Sequence, residues 1–200
     1  MSPISRLRRP SRSWAWWTAG FLAFPVSGLA GRAVAGPVDS LPAAMAGGAV
    51  TGLVLGLGQS LAARRRLDPR RWVPATGAGM ALGLALGAAV VGYRTSPGAL
   101  AVMGAFTGLL LGPAQALALP RDAVRRWAWA LALPPLWATG WSVTALAGVG
   151  VGARFTVFGA TGALAFSALS GLLLDRILPA ANHRPAPSSP APASAGRTSG

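Results

Sequence analysis

The chain has no cysteine, no lysine, no glutamate and a single histidine. Without thiols it forms no disulfide, no thiolate metal site and no lipidated cysteine, and its composition carries no trace of a redox compartment. The lone His183 has no Cys, Glu or second His near it, so no metal-ligand set exists. The only acids are Asp39, Asp68, Asp122 and Asp175. An intramembrane hydrolase needs a paired carboxylate, a serine with His or Lys, or a metal cluster, and those parts are missing. We therefore expect a non-enzyme without cofactor or metal. All 18 basic residues are arginine, a bias we attribute to a GC-rich genome.

What remains is apolar: 52% of residues are hydrophobic, 11% are charged and mean hydropathy is +0.50. Five segments, 42–63, 72–93, 99–120, 127–149 and 155–174, contain no ionisable Asp, Glu, Lys, Arg or His. Each is about long enough to cross ~30 Å of hydrocarbon as a helix, and a sixth runs from Trp14 to Gly31. The expected fold is all-α, a polytopic transmembrane bundle of about six helices. A basic segment (1–13) precedes the bundle (14–176), and a Pro/Ala/Ser-rich tail (177–200) with a disordered composition follows it.

A net charge of +14 raises nucleic acid as a partner, but the positions of the charges argue against it. With the amino terminus inside, the inner stretches hold Arg6, Arg8, Arg9 and Arg12; Arg64, Arg65, Arg66, Arg70 and Arg71; Arg121, Arg125 and Arg126; and Arg176, Arg184 and Arg197. Only Arg32, Arg94 and Arg154 fall outside. This matches the positive-inside rule for a bacterial plasma-membrane protein with both termini cytoplasmic. The partners expected are the bilayer, anionic lipid at the Arg-rich loops, and a second copy or another membrane protein; no nucleic acid is expected.

The first segment also reads as a signal peptide with Ala33-Val34-Ala35 as its cleavage site, but its length and Arg32 favour a retained helix. Pro25 and Pro134-Pro135 predict bends. Trp14, Trp16, Trp17, Trp72, Trp127 and Trp129 gather at the inner ends of the spans, which reads as an interfacial belt. The aspartates beside arginines read as local charge pairs.

The most informative feature is a repetition. Residues 48–62, GAVTGLVLGLGQSLA, return at 104–118 as GAFTGLLLGPAQALA, with ten of the fifteen positions identical. Gly48, Gly52 and Gly56 in the first copy, and Gly104, Gly108 and Gly112 in the second, form stripes at every fourth residue. Ala75, Gly79, Gly83 and Gly87 form another, and Gly159, Ala163, Ser167 and Gly171 a weaker one. Small-residue stripes let helix backbones approach closely, which matters in lipid because the hydrophobic effect no longer drives association. The copies run the same way through the membrane, so the chain reads as parallel two-helix repeats, 42–93 and 99–149, with a partial third at 155–176 that the first helix completes. The expected bundle has pseudo-threefold character, with its glycine-striped helices turned inward.

Gln59 and Gln115 are the most polar residues repeated within the spans. They read either as interhelical hydrogen bonds or as the polar lining of a solute path. Thr51 and Thr107, repeated likewise, are expected to bond the carbonyl one turn back. The blocks GLVLGLGQSLAARR and GLLLGPAQALALPR resemble the G-x-x-x-G-x-x-Q-x-L-x-x-R element of uncharacterised bacterial multipass membrane proteins. That resemblance implies membership of a group without assigned chemistry. Two functions follow: a structural or partner-binding membrane protein using its glycine faces, or an uncoupled small-solute transporter or channel lined by Gln59, Gln115, Thr51 and Thr107.

Overall fold

The computed structural model describes residues 11–148 and 156–178. The segment 1–10, the stretch with Arg154 and the tail with His183, Arg184 and Arg197 lie outside the described residues. Among the described residues all regular structure is helical: α1 (Arg12–Ala19), a 3-10 turn (Gly20–Leu22), α2 (Ala23–Ala35), α3 (Leu41–Ala62), α4 (Pro69–Val90), α5 (Pro97–Ala118), α6 (Arg126–Leu146) and α7 (Ala160–Ile177). Local chemistry sets several starts. Asp68 caps α4 by accepting from the Arg70 N–H at 3.0 Å, and Ser11 caps α1 by accepting from the Trp14 N–H at 2.9 Å. α3, α4 and α5 each carry proline in the first turn, where no backbone donor is lost.

The expected bend at Pro25 takes the form of a break. Proline cannot donate to the carbonyl of residue 21, and the turn Gly20–Leu22 just before it tightens to 3-10 geometry, dividing the first segment into α1 and α2. Helix α6 stays continuous through Pro134 and Pro135; Thr139 Oγ1 donates to the Pro135 carbonyl at 2.8 Å.

Five helical stretches are long and apolar enough to cross a membrane: Arg12–Ala35, Leu41–Ala62, Pro69–Val90, Pro97–Ala118 and Ala160–Ile177. Helix α6 is less apolar because two prolines and four tryptophans replace aliphatic residues. It nevertheless packs lengthwise between α5 and α7, so it traverses the same slab. A polytopic helical membrane bundle is the architecture.

From α2 to α3 and onward to α7 each helix packs on its chain neighbour, and the stretch formed by α1 and α2 closes the circle by packing between α7 and α3. The glycines show how tightly. A methyl group built on Gly48, Gly52 or Gly56 would meet Met80, Thr76 or Val73 of α4, and one on Gly104, Gly108 or Gly112 would meet Trp137, Leu133 or Ala130 of α6. At Gly52 and Gly108 the added carbon would stand 2.5 Å from the carbonyl oxygens of Thr76 and Leu133. The α4 stripe does the same toward α5, where Gly79, Gly83 and Gly87 lie against Leu111, Thr107 and Met103. The stripes therefore face sideways to the next helix of the ring and not toward its axis. Close approach is needed wherever two helices must touch, and in a ring those lines run along the flanks. The mid-helix glycine penalty of water, about 1 kcal/mol relative to alanine, largely lapses in a bilayer where a coil is forbidden.

Helices α3 and α5 stand on either side of α4, and their glutamines meet in the interior. An interior aromatic cluster fills the half of the ring away from the glutamines: Phe24, Trp137, Phe158 and Phe166 have ring centroids 4.9–6.5 Å apart. Phe158 and Val157 precede α7 in an irregular segment yet are buried.

The seam geometry sets an expectation. Gly108→Ala should lower stability in detergent by roughly 1–3 kcal/mol through the forced backbone shift. Gly98→Ala, at a position with open space around it, should leave the thermal midpoint unchanged. Equal effects in the two unfolding curves would show that backbone proximity at Gly108 has no energetic weight.

Candidate functional site

The two glutamines singled out by the repetition converge on one buried layer near the arginine-rich end. Gln59 Oε1 accepts from the Trp72 indole N–H at 3.1 Å, and Gln115 Oε1 accepts from the Trp129 indole N–H at 3.0 Å. Gln115 Nε2 donates to Thr76 Oγ1 at 3.0 Å and, at 3.4 Å, to Gln59 Oε1. Thr76 in turn donates to the Trp72 carbonyl one turn back at 2.8 Å. The amides thus bridge α3, α4, α5 and α6.

A third arm completes the pattern. Ser170 on α7 accepts from the Trp17 indole N–H at 2.9 Å. It stands eleven residues after Gly159, the spacing that separates Gln59 from Gly48 and Gln115 from Gly104. Helix α7 has no glutamine at this spacing, and the shorter Ser170 accepts the indole N–H in its place. The indoles of Trp17, Trp72 and Trp129 form a triangle with centroid separations of 6.4, 6.1 and 5.9 Å, two of its sides edge-to-face. Such pairs contribute about 0.5–1.5 kcal/mol beyond the area they bury.

This overturns half of the expected interfacial belt. Trp72 and Trp129 are 0% exposed and Trp17 is 4% exposed, while Trp16 and Trp127 sit at the surface, half exposed. Depth along the span assigned all six to the interface, but azimuth separates them. Only an outward-facing indole reaches the interface, and an inward-facing one becomes core. The missed signal lay in the repeat itself. Trp72 follows Gln59 by 13 residues and Trp129 follows Gln115 by 14, so the duplication extends through the loop into the next helix.

The threonines divide. Thr107 donates to the Met103 carbonyl one turn back at 2.9 Å, as expected. Thr51 instead reaches across helices, donating to the Ser27 carbonyl at 3.2 Å and lying 2.6 Å from Thr156 Oγ1. Gly31 is what brings α2 close enough, since any side chain there would meet Thr51, Thr156 and the Gly47 carbonyl. Thr51 and Thr107 therefore line no common surface.

Of the aspartates, Asp68 pairs loosely with Arg71 at 3.9 Å, a local contact of the expected kind. Asp175 does not use its neighbour Arg176. It binds Arg66 at 2.8 Å from a loop 109 positions away, and Ser11 from α1 takes its other oxygen. Among the described residues no group of three His, Cys, Asp or Glu is placed to hold a metal ion.

Chemically the layer is a buried hydrogen-bonding set in which Gln115 engages both its oxygen and its nitrogen and Gln59 its oxygen. Gln59 and Gln115 are 4% and 1% exposed, and both amide oxygens are engaged by indoles. Neither of the two described cavities, near Arg64 at the end of α3, is lined by either glutamine.

No protein-family model matches the chain, and neither a curated protein nor a solved structure matches it.

The network predicts coupling. In a double-mutant cycle of Trp129→Phe with Gln115→Leu, unfolding in detergent should yield an interaction energy of about 0.6–1.7 kcal/mol, the range for interhelical hydrogen bonds in membranes. Strict additivity would show that the Trp129–Gln115 bond contributes nothing to stability.

Proposed function

We propose that this protein is a structural or partner-binding component of a bacterial plasma membrane, without catalytic activity and without a solute path of its own. The observation that carries the reading is the sealing of Gln59 and Gln115 by Trp72 and Trp129. A polar constriction on a solute path must be wet, whereas both amide oxygens here accept from buried indoles and Gln115 Nε2 donates to Thr76 and Gln59. Among the described residues the buried polar side chains are Ser, Thr and Gln, and none is an ionisable group of the kind that marks ion coupling or proton relay. The resemblance to uncharacterised bacterial multipass membrane proteins accords with this proposal.

The glycine faces serve the chain itself. Gly48, Gly52, Gly56, Gly104, Gly108 and Gly112 already abut neighbouring helices. A partner, whether a second copy or another membrane protein, therefore meets the outer surface, where Leu53, Leu57, Leu109 and Leu131 are exposed. Both termini and the Arg-rich loops face the cytoplasm in this reading.

Two measurements test it. Liposomes containing the protein should show no flux of small neutral solutes above protein-free vesicles, and Gln59→Leu with Gln115→Leu should leave that baseline unchanged. Flux that the double variant abolishes would establish the transporter reading instead. Orientation is accessible because the chain has no cysteine. A membrane-impermeant thiol reagent added to intact spheroplasts should label Arg94→Cys and spare Val124→Cys; the reverse pattern would invert the topology.

A further inference from the structure

The arginine-rich end carries a cavity that borders the buried network at Trp17 and is lined by neither glutamine. It is about 320 Å³ in volume and lies between α1, the end of α3 and α7, lined among others by Arg12, Arg64, Arg66, Trp16, Trp17 and Leu174. Three guanidinium-bearing residues thus border one small space, and they come from α1 and from the loop after α3.

Their surroundings are unequal. Arg66 is anchored by Asp175 at 2.8 Å and reaches the Leu178 carbonyl at 3.4 Å. Arg64 lies over the Trp16 ring, 4.8 Å from its centroid. No carboxylate pairs with Arg12 or Arg64 among the described residues. Asp175 divides its two oxygens between Arg66 and Ser11, so it neutralises one of the three cations at most. Positive charge is left at the cavity, with orientation supplied by an ion pair on one side and an indole face on the other.

The loop that delivers these arginines is shaped without glycine. Arg64 and Arg65 both hold left-handed backbone, with φ of 47° and 69°, a region that side chains with a Cβ rarely occupy. On the other side of Arg64 a second cavity of about 360 Å³ opens, lined in part by Leu57 and Leu61. These leucines, 51% and 71% exposed, belong to the outer face of α3. Cationic groups, a half-exposed indole and an apolar track therefore adjoin at one end of a membrane helix. This combination matches one amphiphile: a phosphate-bearing head group with acyl chains running along the bundle.

We propose that this cavity binds the phosphate head group of a single anionic glycerophospholipid, with Arg12 and Arg64 as the principal contacts, Arg66 as the anchored third cation and the acyl chains lying against Leu57 and Leu61. The inference rests on the membrane reading and narrows the general attraction of anionic lipid to one site. Lipid is favoured over a free anion because the apolar track starts beside the arginines.

Native mass spectrometry of the full chain released from mild detergent tests it, with phosphatidylglycerol, phosphatidylcholine and inorganic phosphate as probes. One phosphatidylglycerol should bind in preference to phosphatidylcholine. Arg12→Gln and Arg64→Gln should each weaken that binding about fivefold, the effect of removing one basic residue near an anionic surface. Arg70→Gln, exposed and outside the cavity, should leave it unchanged. Thermal midpoints without lipid establish that each variant is folded. If Arg70→Gln weakens binding as much as Arg64→Gln, the attraction is diffuse and the site falls. If inorganic phosphate displaces the lipid fully at millimolar concentration, the cavity serves a soluble anion and the lipid assignment falls. A chain that stays in solution without detergent removes the membrane reading and this inference together, whereas a chain that enters bilayers but binds both lipids equally removes this inference alone.

Discussion

Backbone-to-backbone contact at glycine is the constraint on which the rest depends. Where Gly52 meets the Thr76 carbonyl and Gly108 the Leu133 carbonyl, no side chain intervenes, and the two helices stand as near as their main chains allow. Repeated around the circle, such contacts fix a narrow ring. A narrow ring has little interior, and three indoles with their hydrogen-bond partners occupy the arginine-rich half of it, while phenylalanines and tryptophans fill the other. Wider seams would open the axis, and the indole N–H groups would lose the acceptors that make their burial tolerable in hydrocarbon.

The polar layer supplies what glycine packing leaves unspecified. Van der Waals contact between smooth helices tolerates sliding, whereas a bond from Trp72 to Gln59 or from Trp129 to Gln115 fixes axial register. Two adjacent arms are further tied together through Gln115, Gln59 and Thr76, and the third, Ser170 with Trp17, is simpler. Three indole N–H groups, those of Trp17, Trp72 and Trp129, are thus each taken by a side-chain oxygen of an adjacent helix.

Much of the architecture was legible because two periodicities, span length and the four-residue glycine spacing, report directly on membrane depth and on contact lines. The span expected at 42–63 is α3 at Leu41–Ala62, and that expected at 99–120 is α5 at Pro97–Ala118. The span expected at 155–174 is displaced to Ala160–Ile177, because Val157 and Phe158 are apolar for a different reason: they plug the aromatic cluster from a non-helical segment. Hydropathy records burial and not backbone form. Side-chain azimuth was likewise hidden, so Trp17, Trp72 and Trp129 resembled Trp16 and Trp127 until the fold separated core from surface. Thr51 bonds across helices and Thr107 within its own, since Gly31 stands against the hydroxyl of Thr51 whereas Gly83 stands against the backbone of Thr107, a difference the sequence does not display. The pairing of Asp175 with Arg66, 109 residues apart, leaves no local signature.

The seam between α1 and α7 joins the two extremes of the described chain, with Trp17 bonded to Ser170 and Ser11 to Asp175 across 153 and 164 positions. Among the described helices α1 is made before α7, so Trp17 and Ser11 have no Ser170 or Asp175 to bond until every helix between them has been synthesised.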